Sequence, residues 1–256
     1  MDYKNTPLWK ESLPLKERID YLLDELTLEE KIQCICIQAP ETKRLGILPF
    51  AIGGEAAHGV EARHDQEFNK GIPVETTVFT QPIGMSATWD TELMEKVGVV
   101  VGTEARAIYH KEGKIGLSRW GPTIDMERDP RWGRTEEGYG EDPYLTGKMS
   151  SSYIQGLQGR DRNYIRCAAT LKHFYANNEE KDREKSSSSL DARNKWEYYL
   201  EPFRRAIMEG KAEAVMTSYN EINGVPAIVN HEVQELLKDT WGLKGHVVCD
   251  MGDLAQ

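Results

Sequence analysis

Short apolar runs alternate with amphipathic helical patterns along most of this 256-residue chain. Continuous apolar runs predict buried strands, whereas apolar residues that recur every three or four positions predict helices. The clearest of the predicted strands cover residues 46–53, 121–126, 167–173, 214–219 and 245–250. The predicted helices cover residues 27–35, 90–108, 144–157, 191–209 and 231–241. Strands and helices therefore alternate, which is typical of a parallel sheet with helices packed against it.

Polar side chains follow the carboxyl ends of nearly all of the predicted strands. The residues at such positions are Glu55, His58, Asp125, Lys172, His173, Tyr219, Asn220 and Asp250. Active sites of (β/α) barrels are assembled from these positions around the whole mouth, whereas a doubly wound sheet concentrates them at one crevice. The sequence therefore predicts an α/β fold, specifically a (β/α)8 TIM-barrel-like domain.

The predicted barrel is short of strands at its C-terminal end. A closed barrel of this type has eight strands, and six or seven can be counted before the sequence ends six residues after Asp250. We therefore expect residues 1–256 to form one domain that is incomplete at its C-terminus.

The composition is that of a globular protein, with 39% hydrophobic and 29% charged residues. The formal net charge of -10, without any concentrated basic segment, argues against nucleic acid or an anionic membrane surface as a partner. No apolar stretch reaches the roughly 18 residues of a membrane span, and the N-terminal residues contain no run of signal-peptide length. We expect a cytoplasmic protein without a membrane partner, and the sequence carries no indication of its oligomeric state.

Four cysteines, at positions 34, 36, 167 and 249, lie on apolar or strand-like segments. We expect reduced, buried thiols and not a disulfide framework. A metal site formed by Glu55, His58 and His64 is a weak alternative, because these residues fall on a turn without ligand spacing on one face. No metal or other cofactor is expected.

A charged segment at residues 128–143 has no apolar face that helix or strand periodicity could bury. It contains three arginines, five acidic residues and three glycines, with Trp132 and Tyr139 between them. One interpretation is a solvated surface loop. The favoured interpretation is a ligand-binding loop, in which the aromatic rings provide stacking surfaces and the guanidinium groups bind hydroxyl or carboxylate groups.

Two predicted strand ends carry side chains with more than one chemical interpretation. Asp250 is suited to act as a nucleophile held by a rigid element, and it is equally suited to cap the following turn. Lys172 is compatible with Schiff-base chemistry, as in a barrel aldolase, and with a charged group that binds hydroxyls.

Six segments with distinctive residue patterns occur between residues 45 and 252. They read GGEAAHGV, TVFTQPIGMSATWD, RDPRWGR followed by GEDP, KHFYANN, SYNEINGVP and VVCDMG. In content and order these segments resemble glycoside hydrolase family 3, over about four fifths of the chain.

The resemblance implies a retaining, exo-acting β-glycosidase that hydrolyses O-glycosidic bonds at non-reducing ends through a covalent glycosyl-aspartate intermediate. β-Glucosidase is the first expectation and β-xylosidase the second, with an oligosaccharide or an aryl or alkyl β-glycoside as substrate. Asp250 matches the family's nucleophile. The positions that match residues holding the sugar hydroxyls are Glu55, Arg134, Lys172, His173 and Tyr219, with Arg131 nearby.

A retaining glycosidase also needs a second carboxyl group to protonate the leaving oxygen. In most of the family this acid comes from a C-terminal domain that these residues do not include. The single-domain N-acetylglucosaminidase branch is marked by KHFPGHG, where this chain has KHFYANN. The carboxyls left open as substitutes are Glu136, Glu179, Glu180 and Glu221. The alternative function is therefore a catalytically weak or inactive sugar-binding fragment, which the presence of Asp250 disfavours.

Overall fold

The computed structural model describes residues 3–36, 38–61, 75–111, 116–161 and 164–252. These residues contain a six-stranded sheet and a small three-stranded sheet. The strands are β1 (Gln38–Ala39), β2 (Phe50–Glu55), β3 (Ser118–Thr123), β4 (Ala168–Phe174), β5 (Ser187–Ser188), β6 (Ala214–Thr217), β7 (Glu221–Ile222), β8 (Val225–Pro226) and β9 (Val247–Val248).

The larger sheet has the strand order β1-β2-β3-β4-β6-β9. Its last five strands pair in parallel, and the short β1 pairs antiparallel with β2 at the edge. Because these five strands run in the same direction, the loops that leave them all emerge at one edge of the sheet. The predicted α/β class is confirmed, and the arrangement is that of a barrel-like parallel sheet.

Helices of varied length connect these strands. They are α1 (Leu15–Glu25), α2 (Leu28–Cys34), α3 (Pro82–Ser86), α4 (Thr91–Lys111), α5 (Pro143–Gln158), α6 (Ala192–Asn194) and α7 (Glu201–Met208), with π-helical segments at Lys195–Tyr199 and Val233–Thr240. The Asp90 carboxylate accepts a hydrogen bond from the Leu93 N–H at 2.9 Å, which caps α4 as predicted. Among the described helices, none has both the length and the apolar character needed to cross a membrane.

The main hydrophobic core lies between the parallel strands and helices α4, α5 and α7. At the contact between α4 and α5 the two backbones touch through glycine. A Cβ atom on Gly98 would overlap the carbonyl oxygen of Tyr153, and one on Gly156 would overlap that of Glu95. The close approach of α4 and α5 therefore depends on residues that lack a side chain.

Two predicted strands are displaced by a few residues. The run predicted at 46–53 forms β2 only from Phe50 onward, and the run predicted at 121–126 forms β3 from Ser118. Ser118 pairs with Ile52 on one side and Ala168 on the other. Backbone pairing with both neighbours, and not local hydrophobicity, therefore sets where β3 begins.

The helix predicted at 191–209 is divided into α6, a π-helical segment and α7. Pro202 lies in the first turn of α7. Because proline has no backbone N–H, the helical hydrogen-bond ladder cannot run continuously through this position. The break accounts for the boundary between the π-helical segment and α7.

Helices α1 and α2 bury none of their residues. The predicted capping box of α2 is present, since Thr27 and Glu30 exchange side-chain-to-backbone hydrogen bonds of 2.9 and 3.2 Å. Cys34 and Cys36, at the end of this surface helix, are exposed. The prediction of buried thiols is wrong for these two residues, because the apolar positions around them do not face the core.

The other two cysteines differ from this surface pair. Cys167 is buried as predicted, and burial raises the pKa of its thiol to about 12. Cys249 is half-buried. All four cysteines are free thiols, in agreement with the predicted absence of a disulfide framework.

Candidate active site

Side chains from neighbouring strands converge beyond the carboxyl edge of the parallel sheet. Glu55 ends β2, Asp125 follows β3, Lys172 and His173 lie in β4, and Asp250 follows β9. Because parallel strands present their carboxyl ends at one edge, residues far apart in the chain come within hydrogen-bonding distance there. The structure thus brings together most of the residues singled out from the sequence.

Lys172 is the buried cation of this cluster. Its Nζ lies 2.6 Å from Glu55 Oε2 and 3.8 Å from Glu137 Oε2. The Lys172 side chain is 3% exposed and that of Glu55 is 31% exposed, so the carboxylate and not the ammonium forms the surface of the site. The ammonium is engaged in ion pairs and is not presented as a free amine, which favours hydroxyl binding over Schiff-base chemistry.

Arg134 and Glu137 form a two-bond fork in the loop after β3. Arg134 Nε and Nη2 donate to the two carboxylate oxygens of Glu137 at 2.7 and 2.8 Å. Burial alone would raise the pKa of Glu137, but the Arg134 hydrogen bonds and the charges of Lys172 and Arg134 lower it to about 2. Glu137 is therefore a fixed anion between two cations.

His173 is buried and contacts three charged side chains. Its Nδ1 lies 2.8 Å from Asp125 Oδ2. On the other side of the ring, Nε2 lies 3.3 Å from Arg134 Nη1 and 3.7 Å from Asp250 Oδ2. The imidazole is thus the group that connects the loop after β3 with the segment after β9.

Asp250 uses its two oxygens differently. Oδ2 faces His173, whereas Oδ1 accepts a hydrogen bond from the Met251 N–H at 2.7 Å. The turn-capping and nucleophile interpretations are therefore compatible. The Tyr219 hydroxyl donates to the Met251 carbonyl oxygen at 2.6 Å, which anchors the segment that carries Asp250.

Three residues of the cluster, Glu55, Arg134 and Glu137, border a cavity of about 470 Å³. Its polar lining comes from Glu55, His58, Glu61, Gln81, Arg134, Glu136 and Glu137. A volume of this size, with a few fixed polar groups, is typical of a small-molecule site. Carboxylates and a guanidinium group offer acceptors and donors to the hydroxyls of a sugar ring.

Arg131 does not join this cluster. Its side chain is 88% exposed, and Nη2 lies 2.5 Å from Asp129 Oδ2. It lines a second cavity, of about 620 Å³, together with Trp132 and Glu180. Arg134, three residues later, points into the first site, so the two arginines have different surroundings despite their proximity in sequence.

A polar chain of Trp132, Glu180, Arg183 and Tyr219 connects the loops. Trp132 Nε1 donates to Glu180 at 2.9 Å, and Arg183 donates to the same carboxylate at 2.9 Å. The Arg183 guanidinium lies 4.4 Å from the centre of the Tyr219 ring, a cation–π contact. Through Tyr219 and Met251 this polar chain reaches the Asp250 segment.

The aromatic residues of the charged loop are buried. Tyr139 lies in the hydrophobic core, so the prediction that it offers a stacking surface is wrong. Trp132 is 5% exposed and has little free ring face. The loop is ordered because it buries these two rings as well as pairing its charges.

The metal interpretation has no structural support in the part of the chain that is described. Among those residues, no group of three or more His, Cys, Asp or Glu side chains is arranged to hold an ion. His58 Nδ1 instead lies 2.9 Å from the Phe79 carbonyl oxygen. His64, the third member of that set, lies outside the described residues.

One carboxylate of the cluster, Glu137, was not selected from the sequence. Asp125 was marked only by its place at the end of the predicted strand at 121–126, and its partner His173 was not foreseen. Glu137 is one of five acidic residues in the charged loop, and nothing in the sequence distinguishes it from the others.

Glu127, in the loop after β3, provides a test of the electrostatics around the site. Burial, together with the charges of Glu141 and Glu136, raises its pKa to about 7. In the unfolded chain a Glu carboxyl has a pKa of about 4.3. The folded state therefore holds the proton more tightly, and the stability that this provides at low pH is lost as the pH rises from about 4.3 to about 7.

We expect Glu127→Gln, which is neutral at every pH, to raise the Tm at pH 8 and to have less effect at pH 5, measured by calorimetry. Glu184→Gln, at an exposed loop carboxyl, is the matched control, and its Tm should change little at either pH. An equal Tm change at both pH values in Glu127→Gln would contradict the raised pKa.

Comparison with known proteins assigns this barrel-like domain to a family. The family profile for the "Glycosyl hydrolase family 3 N terminal domain" matches residues 24–256. Beta-D-xylosidase 1 of Arabidopsis thaliana is 36% identical over 249 residues, covering 93% of this chain and 32% of the relative. A xylan 1,4-beta-xylosidase of Xylanibacter ruminicola is 35% identical over 259 residues, covering 96% of this chain and 29% of the relative.

Solved structures agree with these matches. A family 3 exo-β-xylosidase, XlnD, in complex with a xylobiose aziridine activity-based probe, superposes with a TM-score of 0.87 at 32% identity, covering 98% of this chain and 33% of that one. β-Glucosidase 3B from Thermotoga neapolitana, in complex with α-D-glucose, gives a TM-score of 0.79 at 28% identity, covering 91% and 34%.

The fold is that of a domain found in glycoside hydrolases, with a barrel-like parallel sheet. The chain belongs to glycosyl hydrolase family 3, and its match is to the N-terminal domain of that family. It spans about a third of the length of the curated relatives it matches.

Proposed function

We propose that this chain carries the nucleophile and the sugar-binding groups of a retaining, exo-acting β-glycosidase. The observation that carries the proposal is the position of Asp250, whose carboxylate faces His173 at 3.7 Å beside two charge pairs. A carboxylate held at a strand end is suited to attack an anomeric carbon. The surrounding charged groups are suited to hold ring hydroxyls and to stabilise an oxocarbenium-like transition state.

The proposal assigns specific roles to the cluster. Asp250 is the nucleophile, and the hydroxyl-binding residues are Glu55, Arg134, Lys172, His173 and Tyr219. Arg131, which is solvent-exposed, would contact only the outer part of a substrate. The five parallel strands are proposed to belong to a (β/α)8 barrel.

A β-xyloside is the proposed substrate class. The curated relatives described above carry β-xylosidase names, and the superposed XlnD structure is named an exo-β-xylosidase. A β-glucoside, which was the first expectation from the sequence, is the second candidate. The superposition on a β-glucosidase bound to glucose supports it.

Mechanism-based trapping tests the proposal. A 2,4-dinitrophenyl 2-deoxy-2-fluoro-β-D-xyloside releases its phenolate without a proton donor and leaves a slowly hydrolysed glycosyl-enzyme, so no acid residue is required. We expect one covalent sugar per chain by intact-mass spectrometry, located on the peptide that contains Asp250. The gluco analogue should react more slowly. Folded protein that forms no adduct with either reagent would instead support the sugar-binding alternative.

A further inference from the structure

Asp125 is a buried carboxylate whose hydrogen bonds are both made to one residue. Its side chain is fully buried, and Oδ2 accepts from the His173 backbone N–H at 3.0 Å and pairs with His173 Nδ1 at 2.8 Å. Oδ1 is also buried and has no hydrogen-bond partner among the described residues. Burying a carboxylate costs free energy unless its bonds are strong, so the interaction with His173 must stabilise it.

The contacts on the two sides of the imidazole determine where its proton lies. An ionised carboxylate only accepts, so Nδ1 must carry the hydrogen that it shares with Asp125. On the opposite side, Arg134 Nη1 lies 3.3 Å from Nε2, and a guanidinium group only donates. The Asp250 carboxylate also lies on this side, but at 3.7 Å it is farther from Nε2 than the guanidinium group, and a second proton on Nε2 would lie beside that nearer cation. The arrangement therefore corresponds to a neutral imidazole with its proton on Nδ1.

We infer that Asp125 is a positioning residue of the site, which holds His173 as the Nδ1–H tautomer and so keeps Nε2 as a hydrogen-bond acceptor beside Asp250. The catalytic consequence rests on the proposed function. The single lone pair of Nε2, which faces Arg134, can accept a hydrogen bond from a sugar hydroxyl in place of Arg134, and Nε2 donates nothing to Asp250, whose Oδ2 lies 3.7 Å away. A proton on Nε2 would instead be directed at that carboxylate and would weaken it as a nucleophile.

Nitrogen NMR tests the tautomer without requiring activity. In ¹⁵N-labelled protein, assigned by comparison with His173→Gln, we expect a protonated Nδ1 and an unprotonated Nε2 at neutral pH. A proton on Nε2 in the parent protein, whether alone or together with one on Nδ1, would overturn the inference. This measurement stays decisive even where a variant at position 125 does not fold.

Two substitutions separate the hydrogen bond from the charge. Asp125→Asn can place its amide oxygen where Oδ2 lies, so it should keep the tautomer and lose less than about 10-fold in kcat/KM. Asp125→Ala removes the acceptor, and we expect a mixed tautomer and a loss of about 10- to 100-fold in kcat/KM, by analogy with carboxylates that orient metal-bound imidazoles. Thr146→Val, at a buried hydroxyl in α5, is the control and should change neither quantity.

The outcomes distinguish this inference from the proposed function. An active parent whose Asp125→Ala variant keeps both the tautomer and kcat/KM would show that Asp125 does not position His173. A parent with the expected tautomer that neither hydrolyses nor is trapped by activated glycosides would refute the glycosidase proposal and leave the role of Asp125 in setting the tautomer supported.

Discussion

Replacing Asp250 with asparagine is expected to lower kcat/KM for 2,4-dinitrophenyl β-D-xyloside by at least about 10⁴-fold, as is usual when a catalytic nucleophile is removed. Asparagine has the shape of aspartate, and its amide oxygen can keep the bond from the Met251 N–H, so the local turn should survive. A neutral amide is a far poorer nucleophile than a carboxylate towards an anomeric carbon. The dinitrophenolate leaving group makes the measurement independent of a general acid.

Chemical rescue makes this test specific. In Asp250→Ala the space left by the carboxylate is open to azide, which should attack from the same face and produce the α-glycosyl azide, identified by proton NMR. Asp239→Asn, at an exposed carboxyl on the Val233–Thr240 segment, is the control and should retain the parent rate. Parent-like hydrolysis by Asp250→Asn would falsify the assignment of the nucleophile.

The largest effect on stability is expected from Gly156→Ala in α5. An added Cβ would overlap the Glu95 carbonyl oxygen of α4, and backbone cannot move aside as a flexible side chain can. Alanine favours the helix by up to about 1 kcal/mol relative to glycine. Overpacking typically costs about 1 to 3 kcal/mol, and we expect the upper end because the obstacle is backbone. Net destabilisation should therefore be about 1 to 2 kcal/mol, measured by urea unfolding.

Gly84→Ala is the matched control for this prediction. Gly84 also lies in a helix, α3, but an added Cβ would come no closer than 3.9 Å to the Thr80 side chain. The substitution should be neutral or stabilising by up to about 1 kcal/mol, since only helix propensity changes. If both substitutions change the free energy of unfolding equally, the close contact between α4 and α5 does not determine the effect of Gly156→Ala.

Elements with strong local signals were predicted most closely. Helix α4 has a capping aspartate and regular apolar spacing, and its observed start, Thr91, follows the predicted cap directly. Strand β4 begins at Ala168, one residue after the predicted start. In contrast, β3 was displaced by three residues, because its ends depend on pairing with β2 and β4, which local sequence does not encode.

The sequence predicted most of the residues that form the site, but it did not predict which of them contact each other. Lys172, His173 and Asp250 stand out because polar side chains are unusual at the ends of buried strands. The pairing of Asp125 with His173 spans 48 positions of sequence and becomes visible only when β3 and β4 lie side by side. Arg131 and Arg134 have identical side chains on one loop, and only the folded path separates the solvent-facing residue from the one in the cluster.

The polar chain from Trp132 to Tyr219 links the loops that surround the proposed site. Backbone hydrogen bonding in the parallel sheet stops before the loops begin, so the sheet does not set the width of the entrance. The polar chain connects neighbouring loops to one another by two hydrogen bonds and one cation–π contact. We therefore expect substitutions in this polar chain to change which leaving groups the proposed glycosidase accepts, while the proposed nucleophile and the sheet beneath it stay the same.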